Sequence, residues 1–221
     1  MYNLCDLIKY KKRRGLNFKG SIAHEYLIKQ GEPFYGHERE LQEIDFAFLQ
    51  SITRKRVKMQ FGDDAFVIHA RLFDGFNNNT PEWDVFIKII KKYELNIKFK
   101  KCIVFYGNHK NNIDDSLIKK SEWYLKKLKD EIEKLNLTCE LSGSSEYPGP
   151  LGFERTDEDF AALSNAKCYI AGYRGFGWLS ASINPNEVIW DIQNPPNFTW
   201  LHGGWREVDY LMKGYNFQKQ K

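Results

Sequence analysis

From Ala65 onward the chain alternates short apolar runs with stretches of helical periodicity, a pattern that a parallel β-sheet wrapped by helices satisfies and few other architectures do. The apolar runs fall at about 65–70, 102–106, 137–141, 167–171 and 187–191 and predict five strands. Helices are predicted between them at about 81–94, with Thr80-Pro81 as cap and first-turn residue, and at about 115–135, opened by Asp114 or Asp115. Shorter helices are predicted at about 157–164, capped by Thr156 or Asp157, and at about 176–183. The short connections favour right-handed crossovers, so the fold class is α/β: one doubly wound, mainly parallel sheet with helices on both faces.

Residues 1–62 differ in texture and read as a basic N-terminal arm or helical cap preceding a sheet domain over 63–221. An amphipathic helix is predicted over His37–Gln50, with Leu41, Ile44, Phe48 and Leu49 near one face. Lys9-Tyr-Lys-Lys-Arg-Arg14 and Thr53-Arg-Lys-Arg56 concentrate the net charge of +4 into two patches that suit phosphates or anionic lipid heads, or form a solvated face. No zinc-finger spacing, RNP-like strand or recognition helix accompanies that charge, so a specific nucleic-acid partner is not expected. Cys5, Cys102, Cys139 and Cys168 form no CxxC pair, and three of them sit in apolar strand-like runs, which points to a reduced, cytoplasmic setting. No leader pattern and no apolar stretch approaching the ~20 residues of a membrane span is expected; peripheral membrane contact would come through the basic arm. An aromatic share of 15% fits an aromatic core or a pocket-rich surface. A loop from Asn194, then a helix around Arg206 to Lys213, completes the reading, with aromatics packed over the sheet edge or pocket.

Candidate chemistry gathers at strand ends. The first strand runs into His69, Arg71 and Asp74; a guanidinium at such a point grips a phosphate through paired hydrogen bonds and stays charged at any working pH. Asp74 could orient Arg71 or act as a base, and His69 reads equally as a core residue or a ligand contact. The second strand ends in Tyr106-Gly-Asn-His109, where Gly107 permits a tight turn and Tyr106, Asn108 and His109 could frame a base or sugar. The third leads into a Ser- and Gly-rich loop starting at Ser142, with Arg155 as a second cation before a helix. The fourth runs into Gly172-Tyr-Arg-Gly-Phe-Gly-Trp178, where glycines and a helix start offer Tyr173, Arg174, Gly175, Phe176 and Gly177 to an anion. This is not a dinucleotide fingerprint, and no Walker A pattern is present, which disfavours NAD and ATP hydrolysis.

The same two segments carry a family resemblance. His69-Ala-Arg-Leu-Phe-Asp74 is similar to the His-x-Arg-x-Gly-Asp hallmark of the fucosyltransferase-like glycosyltransferases, with Phe73 where glycine is expected. Asp159-Phe-Ala-Ala-Leu-Ser-Asn-Ala-Lys-Cys-Tyr-Ile-Ala-Gly-Tyr-Arg-Gly-Phe-Gly-Trp-Leu-Ser-Ala181 resembles their later Asp-Phe-x-x-Met-Ser segment, with Arg174, Gly175 and Gly177 replacing serines. The resemblance implies the C-terminal, donor-binding half of a two-Rossmann-domain enzyme that moves a sugar from a nucleotide-sugar co-substrate, GDP-fucose in that family, to a glycan acceptor. It also implies catalysis without a metal or other cofactor, Arg71 on the donor pyrophosphate and Asp74 as acceptor base. Only about 60 residues precede the sheet, so the acceptor site is minimal or comes from a partner chain or domain. The alternative is a non-catalytic nucleotide- or sugar-binding module acting with a partner.

Overall fold

A computed structural model describes Ile22 and residues 46–59, 61–73, 82–107, 113–144, 153–172 and 174–189. In chain order these form α1 (Phe46–Arg56), β1 (Ala65–His69), α2 (Trp83–Lys92), α3 (Leu95–Lys98), β2 (Lys101–Gly107), α4 (Asp115–Glu133), β3 (Thr138–Ser144), α5 (Phe153–Leu163), β4 (Cys168–Ile170), α6 (Arg174–Ser182) and β5 (Glu187–Ile189). The strands make one all-parallel sheet of order β3-β2-β1-β4-β5. The α/β, Rossmann-like class expected from the apolar periodicity is therefore the observed one.

Strand alternation sends Phe66, Ile68, Cys102, Val104 and Ile170 to one face, where α2 and α4 cover them with Phe86, Ile90, Leu125 and Leu128. Val67, Ile103, Phe105, Tyr169 and Val188 point to the other, under α5 and α6. Burying both faces explains why each strand reads as an unbroken apolar run. Chain order makes the consequence: strands one to three wind outward from β1, and the chain then returns to start again on β1's other side at β4. The crevice between the carboxyl ends of β1 and β4 is a topological switch point, where such sheets place ligands.

Several local expectations are corrected. The helix predicted to end at Gln50 continues to Arg56, because Ile52 and Thr53 are buried beside Leu49; Phe48 is only half-buried, and Leu41 and Ile44 lie outside the described residues. Helix α5 begins at Phe153, so Thr156 and Asp157 lie inside it and neither caps it. At α2 the N-cap is Glu82 without a side-chain cap bond, and Thr80-Pro81 lies outside the described residues. Asp114 does cap α4, its carboxylate accepting the Ser116 N–H at 2.7 Å. The one-turn helix α3 was not expected; Glu94 enters it in a left-handed conformation (φ 55°). The proposed segment after residue 190 lies outside the described residues, and no helix among those described is long and apolar enough to cross a membrane. Cys102, Cys139 and Cys168 are free and buried.

Helix α1 lies on the α5 side of the sheet. Gln50 Nε2 donates to Ile183 O at 2.7 Å, and Asn165 Nδ2 donates to Thr53 Oγ1 at 3.3 Å. Arg54 and Lys55 of the basic run are exposed at the helix C-terminus, where positive charge suits the dipole. Arg56 instead reaches Asp157 at 3.5 Å, and the same carboxylate accepts the Ile22 N–H at 2.8 Å. Burial pushes Asp157 up to about 6, opposed by the Ile22 amide and Arg56. Asp159 is raised to about 6 by burial too, against Arg155.

The folded-state values exceed those of an unfolded carboxylate, so folded protein holds protons that unfolded chain has released. The associated stability is complete below about pH 4 and is lost as pH rises through about 6, roughly 3 kcal/mol for a two-unit shift. Asp157→Asn keeps an acceptor for Ile22 but cannot ionise. Urea unfolding from about pH 4 to 7 is expected to show a shallower loss of stability in this variant than in the parent; parallel curves would contradict the burial argument.

Candidate functional site at the switch point

His69 closes β1 and is only 5% exposed. It lies on the α5 and α6 side, its ring 5.2 Å from that of Phe176, which packs in turn on Phe160 at 5.5 Å. Burial, and then the neighbouring Arg71 charge, lower its pKa to about 3, so the imidazole is neutral at physiological pH. Its Nδ1 is buried with no hydrogen-bond partner among the described residues. A group of that kind carries a cost that a core histidine normally avoids.

Two glycines make room for this ring. A Cβ on Gly172 would lie on His69 Nδ1 and on the His69 carbonyl oxygen, nearer than real Cβ atoms approach; a Cβ on Gly177 would strike the Gly172 carbonyl and sit 3.0 Å from the same Nδ1. The turn from β4 into α6 therefore closes directly over the end of β1. A buried hydroxyl relay holds it there. Ser180 Oγ donates to Gly177 O at 3.1 Å, which leaves the Tyr169 hydroxyl, 3.0 Å away, to donate to Ser180. The Tyr169 hydroxyl also receives the Gly172 amide, and burial keeps it far above the ordinary phenol range.

Helix α6 begins at Arg174, two residues earlier than expected, so Gly175, Phe176 and Gly177 belong to its first turn and not to a loop before it. The first amides of a helix have no intrahelical acceptor and carry the positive end of its dipole. Here they open at the carboxyl end of β4, beside the end of β1. Arg71, half-buried, lies two residues beyond His69 on that rim.

Phe73 follows with φ 58°, in the left-handed region. That conformation costs a side-chain-bearing residue about 1–2 kcal/mol, and in a bulky residue it is a genuine outlier. It is also the conformation a glycine takes without cost, at the very position where the fucosyltransferase-like hallmark has glycine. Propensity reasoning could not have found this; the mismatch of Phe73 to the hallmark was the available signal.

On the other side of β1, Tyr106 and Gly143 are register partners at the ends of β2 and β3. A Cβ on Gly143 would meet the Tyr106 carbonyl and lie 2.6 Å from its ring, so the glycine is a seat for that ring. The ring also lies 6.5 Å from Phe73 at 31°. Ser142 and Gly143 are thus strand residues, contrary to the loop expected from their composition. Gly107 ends β2 with nothing within 4 Å of the place its side chain would take, and the turn expected after it lies outside the described residues. Arg155 lies inside α5 and not before it, and its charge is already engaged: its Nη2 donates to Ser142 Oγ at 3.2 Å and its Nε to Asp159 at 2.8 Å.

The structure thus brings together His69, Phe176 and Gly177 at the switch point, and Ser142 with Arg155 nearer the β3 edge. Asp74, Asn108 and Tyr173 lie outside the described residues, and Arg174 and Gly175 are described as backbone only. A recess of about 700 Å³ opens at the opposite, amino end of β2 and β3, beside Asp64, Lys100, Lys101 and Glu140. Its Lys101 and Glu140 pair with each other, and it faces away from the strand ends that carry the candidate chemistry. No cluster of three metal-ligating side chains occurs among the described residues. No protein-family profile matches this chain, and no curated protein and no solved structure matches it.

Proposed function

We propose that this chain transfers a sugar from a nucleotide-sugar donor, fucose from GDP-fucose on the strength of the resemblance, to a glycan acceptor. The observation that carries the reading is the meeting of the two resembling segments on adjacent central strands, His69 seated against Gly172 and Gly177. Segments far apart in sequence are thereby joined at the one crevice where a doubly wound sheet takes a nucleotide. The glycine-like backbone of Phe73 supports it further.

In this reading the donor pyrophosphate lies between Arg71 and the first-turn amides of α6. The acceptor hydroxyl oxygen bonds to the anomeric carbon as the bond from that carbon to the phosphate oxygen breaks. The hydroxyl proton passes to a base, assigned to Asp74, and the nucleoside diphosphate leaves with its charge stabilised by the guanidinium and amides. Neutral His69 adds no charge; it fixes the floor of the crevice. No metal enters the scheme that the resemblance implies.

The test is a thermal-shift and calorimetric screen of the full chain against GDP, UDP, CMP and their common sugar conjugates. A ligand that binds only folded protein raises its apparent stability, by about 2.7 kcal/mol at a hundred times Kd. One nucleotide sugar is expected to bind saturably and to be consumed with a suitable glycan. Binding without turnover against any acceptor would favour the non-catalytic binding module; no binding by folded protein would end both readings.

A further inference from the structure

We propose that Ser121 is a positioning residue for the donor site: it pins the glycine-like turn at Phe73 and so sets where Arg71 meets the donor phosphates. The inference rests on the donor-site reading above.

The buried face of α4 runs Ser121, Tyr124, Leu125, Leu128 and Ile132, a helical stripe that is apolar except for its first member. Ser121 is fully buried, and alanine would fill its place in the helix as well. Its hydroxyl is engaged twice. It donates to Leu117 O at 2.7 Å, one turn back, which turns its oxygen lone pairs toward the β1 end loop. There it accepts the Phe73 N–H at 2.9 Å, across a separation of 48 residues.

Phe73 is the residue in the left-handed conformation, and such strain persists only where the surroundings over-determine it. Two restraints hold it. The ring is 0% exposed, in the core shared with α2 and α4, and the amide is fixed by Ser121. The ring alone fixes a side chain; the hydrogen bond fixes the peptide plane. Arg71 is two residues upstream in the same backbone, so a rotation of the peptide at Phe73 shifts the guanidinium that the site depends on.

The expected result is that Ser121→Ala binds GDP-fucose about tenfold more weakly than the parent in calorimetry, while the amides of the β1 end loop exchange faster and those of β1, β2 and β4 do not. Ser121→Thr, which keeps the hydroxyl, is expected to bind within about twofold of the parent, and Ser121→Val, of the same shape without the hydroxyl, to bind as weakly as Ser121→Ala. A role for the side chain's volume alone would not separate threonine from valine. Should Ser121→Ala fail to fold, Ser121→Cys decides, since a thiol nearly fills the serine's place but is a poor acceptor for the Phe73 N–H, and it is expected to bind several-fold more weakly than the parent. Equal affinity of the parent and Ser121→Ala or Ser121→Cys, or of Ser121→Thr and Ser121→Val, overturns the proposal while leaving the donor site standing. Folded parent that ignores GDP-fucose overturns the donor reading and this one with it.

Discussion

Gly172→Ala is expected to cost about 3 kcal/mol of stability, the upper range for overpacking a closed site. The new methyl has no way out. One of the atoms it meets is the His69 carbonyl oxygen, part of a central strand paired on both sides, and another is the Nδ1 of a ring already held against Phe176. Relief requires lifting the start of α6 off the end of β1, which would also pull the Gly172 amide from Tyr169 and strain the Tyr169–Ser180 contact. For a chain of this size the loss corresponds to a fall of roughly 6–12 °C in Tm. Gly107→Ala is the matched control, since nothing lies within 4 Å of its added Cβ, and a change within about 0.5 kcal/mol is expected there. Equal melting of the two variants would mean that β4 and α6 do not close over His69.

The strands were legible because a parallel sheet covered on both faces leaves each one a plain apolar run, as in Phe66-Val-Ile68 and Cys102-Ile-Val-Phe105. What failed were readings in which a polar residue seemed to serve its own neighbourhood. Asp157 has the look of a cap, yet its carboxylate serves Ile22 and Arg56, partners that no local pattern reveals. Ser142 and Gly143 have the composition of a loop, yet β2 pairs with them and the Tyr106 ring needs the missing side chain. At the candidate site the arrival of His69 and Gly177 at one crevice followed from reading both strand ends onto a common rim. The unpaired Nδ1 of His69 and the Ser121 pin on Phe73 were beyond reach, because each depends on how distant segments pack.

Arg71 carries the largest expected effect on binding. A guanidinium presents a planar fork to a diphosphate, so its loss removes charge and two directed hydrogen bonds together, each charge-assisted bond being worth about 1.5–3 kcal/mol. Arg71→Ala is therefore expected to weaken nucleotide-sugar binding about a hundredfold or more. Arg71→Lys keeps the charge but loses the fork and should fall between, about tenfold below the parent. The ordering separates a bidentate phosphate grip from general electrostatic attraction, in which lysine would match arginine and added salt would erase the difference. The decisive measurement is a calorimetric titration of GDP-fucose into the parent chain, Arg71→Lys and Arg71→Ala at fixed ionic strength. Affinity falling in that order, with all three folded, is the predicted result; a parent that binds with neither variant weakened would show that the donor does not sit at the β1 and β4 crevice.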